Sequence, residues 1–266
     1  MRFSAAEILQ DPFTGEPLEL VSAGGGPAAG QCLVARDSGN RYPVADGIVD
    51  FLADAEITGK DEKYRVMYDR ISRLYDLPEK LIYAVRPGWF RNLKMDWLGE
   101  IEVSEGDAVL EVSIGTGLNL RFLPVSARHF GLDISMGMLK QCRRNLRKWK
   151  REVELFHGTA ERLPFKDGVF DAVYHVGGIN FFNERKAAIE EMIRVSKPGT
   201  KLMITDENPV VVEKQYRRVP FVRKYFSKAD VNVEPPVDLV PPEMLDVSLK
   251  DVYGGRSYCL TFRKPG

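Results

Sequence analysis

Residues 109–120 read VLEVSIGTGLNL, an apolar run that carries one acid, Glu111, and ends in a turn of small residues. The run has the length and composition of a strand that is buried on both faces. Gly115 and Gly117 have no Cβ, so the backbone of this turn can approach a ligand closely. The stretch predicts a ligand site at the end of a buried strand: a phosphate cradle, or a pocket for a nucleoside-bearing cofactor without phosphate.

The chain after this turn alternates strand-like and helix-like segments. Apolar runs separated by amphipathic segments indicate a mostly parallel sheet that is covered by helices on both faces. Two segments with period-two alternation meet at Gly254 and Gly255, which predicts an antiparallel hairpin at the sheet edge. The predicted fold is α/β, a Rossmann-like doubly wound sheet with this C-terminal hairpin. The predicted strands are 107–113, 129–135, 153–160, 170–177 and 198–207, the helices are 136–150 and 184–197, and the hairpin is 244–253 with 256–265.

Two other regions precede the alternating part. Short strand-like pieces flank a Gly-rich loop at 22–30, which predicts a small β-ribbon. Residues 61–76 place apolar side chains at helical spacing, and the prolines that follow predict two or three short helices. We therefore divide the chain into a ribbon, 1–55, and a larger domain, 56–266, with a helical lid at 61–100 and a lid insertion at about 209–243.

Composition limits the classes of function. The 266 residues contain 38 basic and 38 acidic side chains, so no global field favours nucleic acid or an anionic membrane. The three cysteines are scattered, which fits a reducing compartment. The first residues lack a long apolar core, and no apolar run approaches the ~20 residues of a membrane span. We expect a cytoplasmic protein that is neither integral to the membrane nor bound to nucleic acid.

The residues after this turn and at the end of the next predicted strand distinguish between a phosphate cradle and a nucleoside pocket. No Lys-Ser or Lys-Thr pair follows the turn, which excludes a P-loop. Residues 113–118 read SIGTGL and lack the third glycine of a dinucleotide turn. Asp133 ends the second strand, where a carboxylate can accept two hydrogen bonds from ribose hydroxyls. The pattern favours an adenosine-type ligand.

Four motifs in order then resemble those of a known family. VLEVSIGTG, GLDISMGMLKQC, GTAERLPFKDGVFDAVYHV and RVSKPGTKLMITDE look like the successive motifs of the class I methyltransferases that use S-adenosylmethionine (SAM). Within this family, the motifs most resemble the small-molecule branch that includes the menaquinone and ubiquinone C-methyltransferases. The resemblance covers roughly residues 61–266. It implies methyl transfer from SAM, with S-adenosylhomocysteine as the product, to a small acceptor.

The resemblance also implies a role for individual residues. Glu111 would accept a hydrogen bond from the cofactor's ammonium, Asp133 would hold the ribose, and Ile134 and Met138 would flank the adenine. Ser113 stands where the family usually has Gly and can adopt the turn if its φ stays negative. Thr159 stands where the family often has an acid and can still offer a hydroxyl acceptor. The full predicted cofactor-binding set is Tyr68, Tyr75, Glu111, Ser113, Gly115, Gly117, Asp133, Ile134, Met138, Thr159, Ala160, Glu161, His175 and Val176.

Three residues are candidates for work on the acceptor. His175 could act as a general base, and Asn180 and Asp206 could orient the acceptor, because all three lie at or just after strand ends that share one sheet edge. Each also has a structural alternative: a satisfied core histidine, a solvated amide or a helix cap. Phe181 and Phe182 follow the fourth strand and weakly favour an aromatic or lipophilic acceptor.

The N-terminal segment resembles a zinc-ribbon module that precedes some methyltransferases. In this chain the four ligand positions are Asp11, Thr14, Ala35 and Ser38. Alanine offers no donor to zinc, so we predict no metal. Packing should hold the ribbon together instead, with Tyr42, Pro43, Ile48 and Phe51 in its core.

Two basic segments and two rival functions complete the interpretation. The basic run at 140–151 favours a solvated helix face over a nucleic-acid patch, and the run at 212–228 favours a substrate lid. A SAM-binding module without turnover is the main alternative to an enzyme. A nicotinamide oxidoreductase is the weaker one.

Overall fold

The computed structural model describes residues 5–22, 31–53, 55–208 and 234–266. Only residue 22 of the Gly-rich loop predicted at 22–30 lies within these ranges. The substrate lid predicted at 212–228 lies outside them. The described part is built around one eleven-stranded sheet.

The N-terminal segment forms four short strands joined in antiparallel order. They are β1 (Leu18–Ser22), β2 (Gln31–Ala35), β3 (Arg41–Ala45) and β4 (Ile48–Asp50). Three helices follow: α1 (Gly59–Ile71), α2 (Leu77–Val85) and α3 (Pro87–Leu98). Pro78 and Pro87 stand in the first turns of α2 and α3, where a missing N–H costs nothing.

The remaining strands and helices alternate as the pattern predicts. The strands are β5 (Ala108–Val112), β6 (Arg128–Asp133), β7 (Val153–His157), β8 (Ala172–Val176) and β9 (Lys201–Glu207), followed by the hairpin β10 (Leu245–Val252) and β11 (Ser257–Arg263). Between them lie the helices α4 (Met136–Trp149) and α5 (Arg185–Val195).

The sheet is parallel in its centre and antiparallel at both edges. Its strand order is β1-β2-β3-β4-β7-β6-β5-β8-β9-β11-β10, and all strands from β4 to β9 in this order run parallel. All five residues of β5 are buried, which explains why its sequence is apolar at every position except Glu111. The order reverses at β5, between β6 and β8, so the VLEVSIGTG turn lies at the switch point of the sheet. The predicted fold class and the C-terminal hairpin are confirmed.

The predicted ribbon extends the central sheet instead of standing beside it. β4 pairs in parallel with β7, and the ring of Phe51 lies 4.7 Å from Tyr42 and 6.4 Å from Phe156. Tyr42, Ile48 and Phe51 are buried as predicted. The prediction for Pro43 is wrong, because side chains alternate along β3 and Tyr42 takes the inward face while Pro43 is exposed.

Candidate functional site

A cavity of about 260 Å³ opens at the carboxyl ends of the central parallel strands. The turn after β5, the ends of β6, β8 and β9 and the loop after β7 form one wall, and residues of α1, α3 and the α1–α2 connection form the facing wall. Thirteen of the sixteen residues predicted for cofactor binding or catalysis line this cavity. They are Tyr68, Tyr75, Glu111, Ser113, Gly115, Asp133, Ile134, Met138, Ala160, Glu161, Val176, Asn180 and Asp206.

The turn after β5 uses left-handed backbone at three positions. Gly115 and Gly117 have φ of +56° and +76°, and Ser113 has φ of +62°. The prediction of a negative φ for Ser113 is wrong, since the chain must reverse here at the residue where the family usually has glycine. Gly117 does not line the cavity: a Cβ at this position would lie 2.7 Å from the Sγ of Cys142, so its small size serves packing against α4.

Asp133 is a buried carboxylate at the end of β6. Its Oδ2 accepts a hydrogen bond from the backbone N–H of Gly115 at 2.7 Å, and its Oδ1 accepts one from Ser135 at 2.8 Å. Burial raises the pKa of Asp133 to about 6, against the opposing effect of these two N–H groups. The carboxylate ties the β5 and β6 loops together while it faces the cavity.

Glu111 is buried within the same wall. Its oxygens accept hydrogen bonds from the Asn119 amide at 2.7 Å and from the Tyr174 hydroxyl at 2.8 Å. Burial raises the pKa of Glu111 to about 7. A carboxyl group that is this short of charge compensation gains most from a bound cation.

The helical wall is fastened to the cofactor loops by two aspartates that the sequence analysis missed. Asp69 accepts hydrogen bonds from the Ser135 hydroxyl at 2.6 Å and from the N–H of Gly137 at 2.7 Å. A Cβ at Gly137 would lie 2.9 Å from the Cα of Asp69, so glycine allows this close approach of α1 to α4. The local signal for this contact is only a glycine at the start of a helix.

Asp76 makes the second attachment. It accepts hydrogen bonds from the Thr116 hydroxyl and, at 2.7 Å, from the Asn145 amide, and it pairs with Lys80 at 2.9 Å. The Asn145 amide also donates to the carbonyl of Thr116 at 3.0 Å. These contacts hold Tyr75, which immediately precedes Asp76, against the cavity.

Lys94 is a buried cation that the sequence motifs did not predict. It pairs with Glu79 at 3.0 Å and reaches the Oδ1 of Asn119 at 3.5 Å. Asn119 in turn donates to Glu111, so Lys94 and Glu111 are linked through one amide side chain. α3 supplies this lysine from outside the strand–helix pattern, which is why the motifs do not reveal it.

The loops after β6 and β7 line the opposite end of the cavity. Ile134, Met138, Ala160 and Glu161 all face it. Burial, with a smaller contribution from nearby Asp61, raises the pKa of Glu161 to about 7. Thr159 does not line this cavity but an adjoining one of about 240 Å³, next to the N-terminal segment, which shares Gly158 and Glu161 with it, so the hydroxyl role of Thr159 stays a prediction.

The N-terminal strands support these loops directly. The Nδ1 of His157 lies 2.6 Å from the carboxylate of Asp50, and its Nε2 lies 3.0 Å from the carbonyl oxygen of Ile134. Asp50 is opposite His157 in the β4–β7 register. A residue of the predicted ribbon therefore contacts, through one imidazole, the loop predicted to hold the adenine.

Apolar and polar groups meet at the end of the cavity beside β8 and β9. The rings of Tyr64 and Phe181 stack with centroids 4.1 Å apart. Asn180 is buried, and its Oδ1 has no hydrogen-bond partner among the described residues. Burial raises the pKa of Asp206 to about 6, although the backbone N–H groups of Glu207 and 178–180 oppose it. An unpaired buried acceptor beside a stacked aromatic pair is suited to a ligand with a ring and a hydroxyl.

His175 lies in the core and not in the cavity. It is fully buried, its Nδ1 is 3.0 Å from the carbonyl of Val112, and its ring meets Phe182 edge-on at 5.2 Å. Burial lowers its pKa to about 4. Side chains alternate along β8, so the neighbouring Val176 reaches the cavity instead. The prediction of a catalytic His175 side chain is therefore wrong.

Asp11, the first of the four positions compared with zinc ligands, is the acceptor at the centre of a hydrogen-bonded turn. Asp11 accepts from the N–H groups of Phe13 and Thr14 at 2.7 and 3.0 Å and from the side chains of Asn40 and Tyr42 at 2.9 Å. Among the described residues, no group of three or more His, Cys, Asp or Glu side chains is placed to hold a metal ion. A metal-free ribbon stays a prediction, supported by the lack of a donor at Ala35.

The structure is a doubly wound α/β domain with a cavity at the switch point of its sheet. Residues 110–204 match the family model described as a methyltransferase domain. Together with the relatives below, this match supports a class I SAM-dependent methyltransferase domain.

Several curated relatives are demethylmenaquinone methyltransferases. The demethylmenaquinone methyltransferase of Renibacterium salmoninarum is 31% identical over 156 residues, which cover 58% of this chain and 63% of that one. The protein of that name from Clavibacter sepedonicus is 31% identical and covers 65% and 66%. The alignments thus span about three fifths to two thirds of these relatives.

Solved structures share the fold. A Thermotoga maritima protein described as a SAM-dependent methyltransferase, possible histamine N-methyltransferase, is 24% identical with a TM-score of 0.52 and covers 74% of this chain and 99% of that one. A phosphoethanolamine N-methyltransferase from Haemonchus contortus, in complex with S-adenosylhomocysteine, is 17% identical with the same TM-score and covers 66% and 53%. None of the helices in the described ranges is both long and apolar enough to span a bilayer.

Proposed function

We propose that this protein binds SAM in the cavity and transfers its methyl group to a small, aromatic and lipophilic acceptor. The observation that carries the proposal is the charge of the cavity lining. Seven carboxylate residues line it against a single lysine, Lys94. SAM carries an ammonium and a sulfonium against one carboxylate, whereas a dinucleotide carries phosphates that these acids would repel.

The residues present fit SAM along the length of the cavity. The carboxylate of Asp133 accepts the ribose hydroxyls, and Ile134 and Met138 flank the adenine. Glu111 accepts the ammonium, which compensates the charge that burial makes costly. Lys94, one amide away from Glu111, is placed to meet the carboxylate of the methionine part.

The protein contributes mainly position and a dry surrounding. SAM supplies a methyl group already activated by a positive sulfur. The acceptor's nucleophilic atom bonds to the methyl carbon as the carbon–sulfur bond breaks, and S-adenosylhomocysteine leaves. Holding the two reactants in line can account for ~7–11 kcal/mol of the barrier. Tyr64, Phe181 and Phe182 exclude water from the reacting end.

Asn180 and Asp206 are the groups proposed to handle the acceptor. The unpaired Oδ1 of Asn180 accepts a hydrogen bond from an acceptor hydroxyl and fixes the ring. Asp206 removes the proton that the acceptor must lose, since a carboxyl whose pKa is near 6 is largely ionised at neutral pH yet remains basic enough to act. The relatives are demethylmenaquinone methyltransferases, which suggests a demethylmenaquinol, so an aromatic ring with a hydroxyl is the acceptor class.

The localisation, the metal requirement and the domain organisation of the enzyme belong to the same proposal. The enzyme is cytoplasmic, which the three buried free cysteines support. It acts on a small molecule and needs no metal ion. The boundary near residue 55 separates a supporting N-terminal segment from the methyltransferase domain, and the two share one sheet.

The test combines binding and turnover. Calorimetry should detect SAM binding, and NAD should neither bind nor raise the melting temperature. Methyl-labelled SAM and a short-chain demethylmenaquinol, kept reduced, should give labelled quinol and S-adenosylhomocysteine. Asn180→Ala and Asp206→Asn should lose turnover while keeping SAM affinity, and Asp238→Asn, on an exposed turn, should keep both.

Three results decide among the functions. SAM binding without methylation of this quinol or of any component of an apolar extract would favour the non-catalytic module. Stabilisation by NAD alone would overturn the proposal in favour of an oxidoreductase. Turnover that survives Asp206→Asn would remove Asp206 from the mechanism.

A further inference from the structure

Helix α2 is apolar, yet none of its nine residues is buried. Leu77, Leu81 and Val85 expose 62%, 65% and 70% of their surface, and Trp89 at the start of α3 exposes half. Leu74, just before α2, is equally exposed. Scattered exposed leucines are common, but several within one short segment mark an interaction surface.

Basic side chains flank these apolar residues along the chain. Between residues 63 and 95 the chain carries eight Lys or Arg and three Asp or Glu, although the whole chain is neutral. Each of the three acids has a basic partner within this segment: Asp69 with Arg65, Asp76 with Lys80, and Glu79 with Lys94. Arg73, Arg86 and Arg91 are exposed beside the apolar residues. The surface presents apolar side chains with a positive rim.

The same segment forms a wall of the cavity. Tyr75 and Glu79 line it, within two residues of the exposed Leu74 and Leu77, and Lys94 lines it from α3. Whatever covers the apolar surface therefore lies next to the proposed site. A lipophilic acceptor could pass from such a surface to the stacked Tyr64 and Phe181 without crossing water.

We propose that the surface formed by Leu74, Leu77, Leu81, Val85 and Trp89, with its rim of Arg73, Arg86 and Arg91, docks on an anionic lipid bilayer. Leucine and tryptophan side chains enter the boundary between head groups and acyl chains, and the arginines meet lipid phosphates. The positive rim distinguishes a bilayer from a second copy of this chain, whose identical rim would repel it. The link to the acceptor rests on the proposed function, whereas the docking itself does not.

The experiment measures binding of the full chain to vesicles. It should sediment with vesicles of phosphatidylcholine mixed with phosphatidylglycerol, bind phosphatidylcholine alone more weakly, and lose affinity as salt rises. Leu77→Glu with Leu81→Glu should weaken binding by about tenfold or more. Arg86→Glu with Arg91→Glu should weaken it by at least about fivefold for each charge.

The hairpin offers a matched control. Leu245 and Leu249 on β10 expose 50% and 47% of their surface, and Leu245→Glu with Leu249→Glu should leave vesicle binding unchanged. SAM affinity should be unchanged in all three double variants, so loss of docking is distinguishable from loss of the proposed function. Circular dichroism checks the fold, and the arginine variant tests the surface if the leucine variant does not fold.

Several outcomes would overturn the proposal. No sedimentation with either vesicle type excludes a bilayer, and equal losses for the β10 control would place the contact elsewhere. A dimer in size-exclusion chromatography that Leu77→Glu with Leu81→Glu dissociates, without vesicle binding, would show that a second copy covers this surface.

Discussion

The two walls of the cavity are built by different physical means. On the sheet wall, Glu111, Asp133 and Asp206 are buried at strand ends and held by hydrogen bonds from neighbouring groups. On the helical wall, Tyr75 is held by the side-chain contacts of Asp76, and the outer surface of α2 is apolar and exposed. The sheet wall is set by parallel strand pairing, and the helical wall by a few attachments. The difference implies that the sheet wall provides most of the cofactor affinity and the helical wall controls access.

Asp133→Ala should have the largest effect if the sheet wall provides the affinity. It removes the proposed ribose acceptor and leaves the N–H groups of Gly115 and Ser135 without their partner. Hydrogen bonds to a charged group contribute about 1.5–3 kcal/mol, so SAM affinity measured by calorimetry should fall about 10- to 100-fold. Asp37→Ala, on the exposed β2–β3 turn, is the control. Unchanged affinity would remove Asp133 from the site.

Asp76→Ala tests the attachment of the helical wall. The change leaves the buried Asn145 amide with fewer acceptors and frees Thr116 and Lys80, so the free energy of unfolding should fall by about 1–3 kcal/mol. Amide hydrogen exchange should rise in α1 and α2 and stay unchanged in β5 and β6. Asp37→Ala, on the exposed β2–β3 turn, is again the control. Equal acceleration in both walls would contradict their independence.

Sequence predicted the sheet wall better than the helical wall for a physical reason. An acid at the end of an apolar run is a local pattern, and parallel pairing then brings Glu111 and Asp133 together at one edge. Asp76 and Lys94 meet the cofactor loops only because the helices dock on α4 and β5, and no local period encodes that contact. The motifs therefore located the carboxylates and not the groups that face them.

The wrong predictions on the sheet wall concern which way a side chain points. His175 and Val176 are adjacent at the end of β8, and strand alternation sends one into the core and the other to the cavity. Gly117 and Thr159 also do not line the cavity. The loop backbone turns Gly117 toward α4 and Thr159 toward the N-terminal segment. The motif identifies the loop, but the choice of face needs coordinates.

The buried acids make the effect of SAM depend on pH. The folded-state pKa values of Glu111 and Asp133 are raised to about 7 and about 6. The folded protein therefore holds more protons than the unfolded chain between pH ~4 and ~7, so this contribution to stability is present below pH ~4 and is lost as pH rises to ~7. Cationic SAM compensates the ionised acids, so its stabilisation should be greater at pH 8 than at pH 5.5.

Thermal unfolding with and without SAM at the two pH values checks this. Glu111→Gln should reduce the pH dependence, because the amide does not ionise. Glu105→Gln, an exposed acid in the loop before β5, should not. A SAM-induced shift in melting temperature that is the same at both pH values in the unmodified protein would contradict the sheet wall as the acidic, cation-binding side.

Ser113→Gly should have the smallest effect and the opposite sign. Ser113 has φ of +62°, where a residue with a Cβ is strained by about 1–2 kcal/mol, and the greater freedom of glycine in the unfolded chain offsets about 0.5–1 kcal/mol of that. The variant should be more stable by about 0.5–1 kcal/mol, a rise of roughly 2 °C in melting temperature.

Ser135→Gly is the contrasting control, since Ser135 has φ of −97° and its hydroxyl accepts from the N–H of Met138. That change also removes the hydrogen bond from the Ser135 hydroxyl to Asp69, so it should destabilise the protein by about 1 kcal/mol. If Ser113→Gly gave no gain while SAM affinity fell, the serine hydroxyl would contact the cofactor, and the sheet wall would hold it through a side chain that replaces the family's glycine.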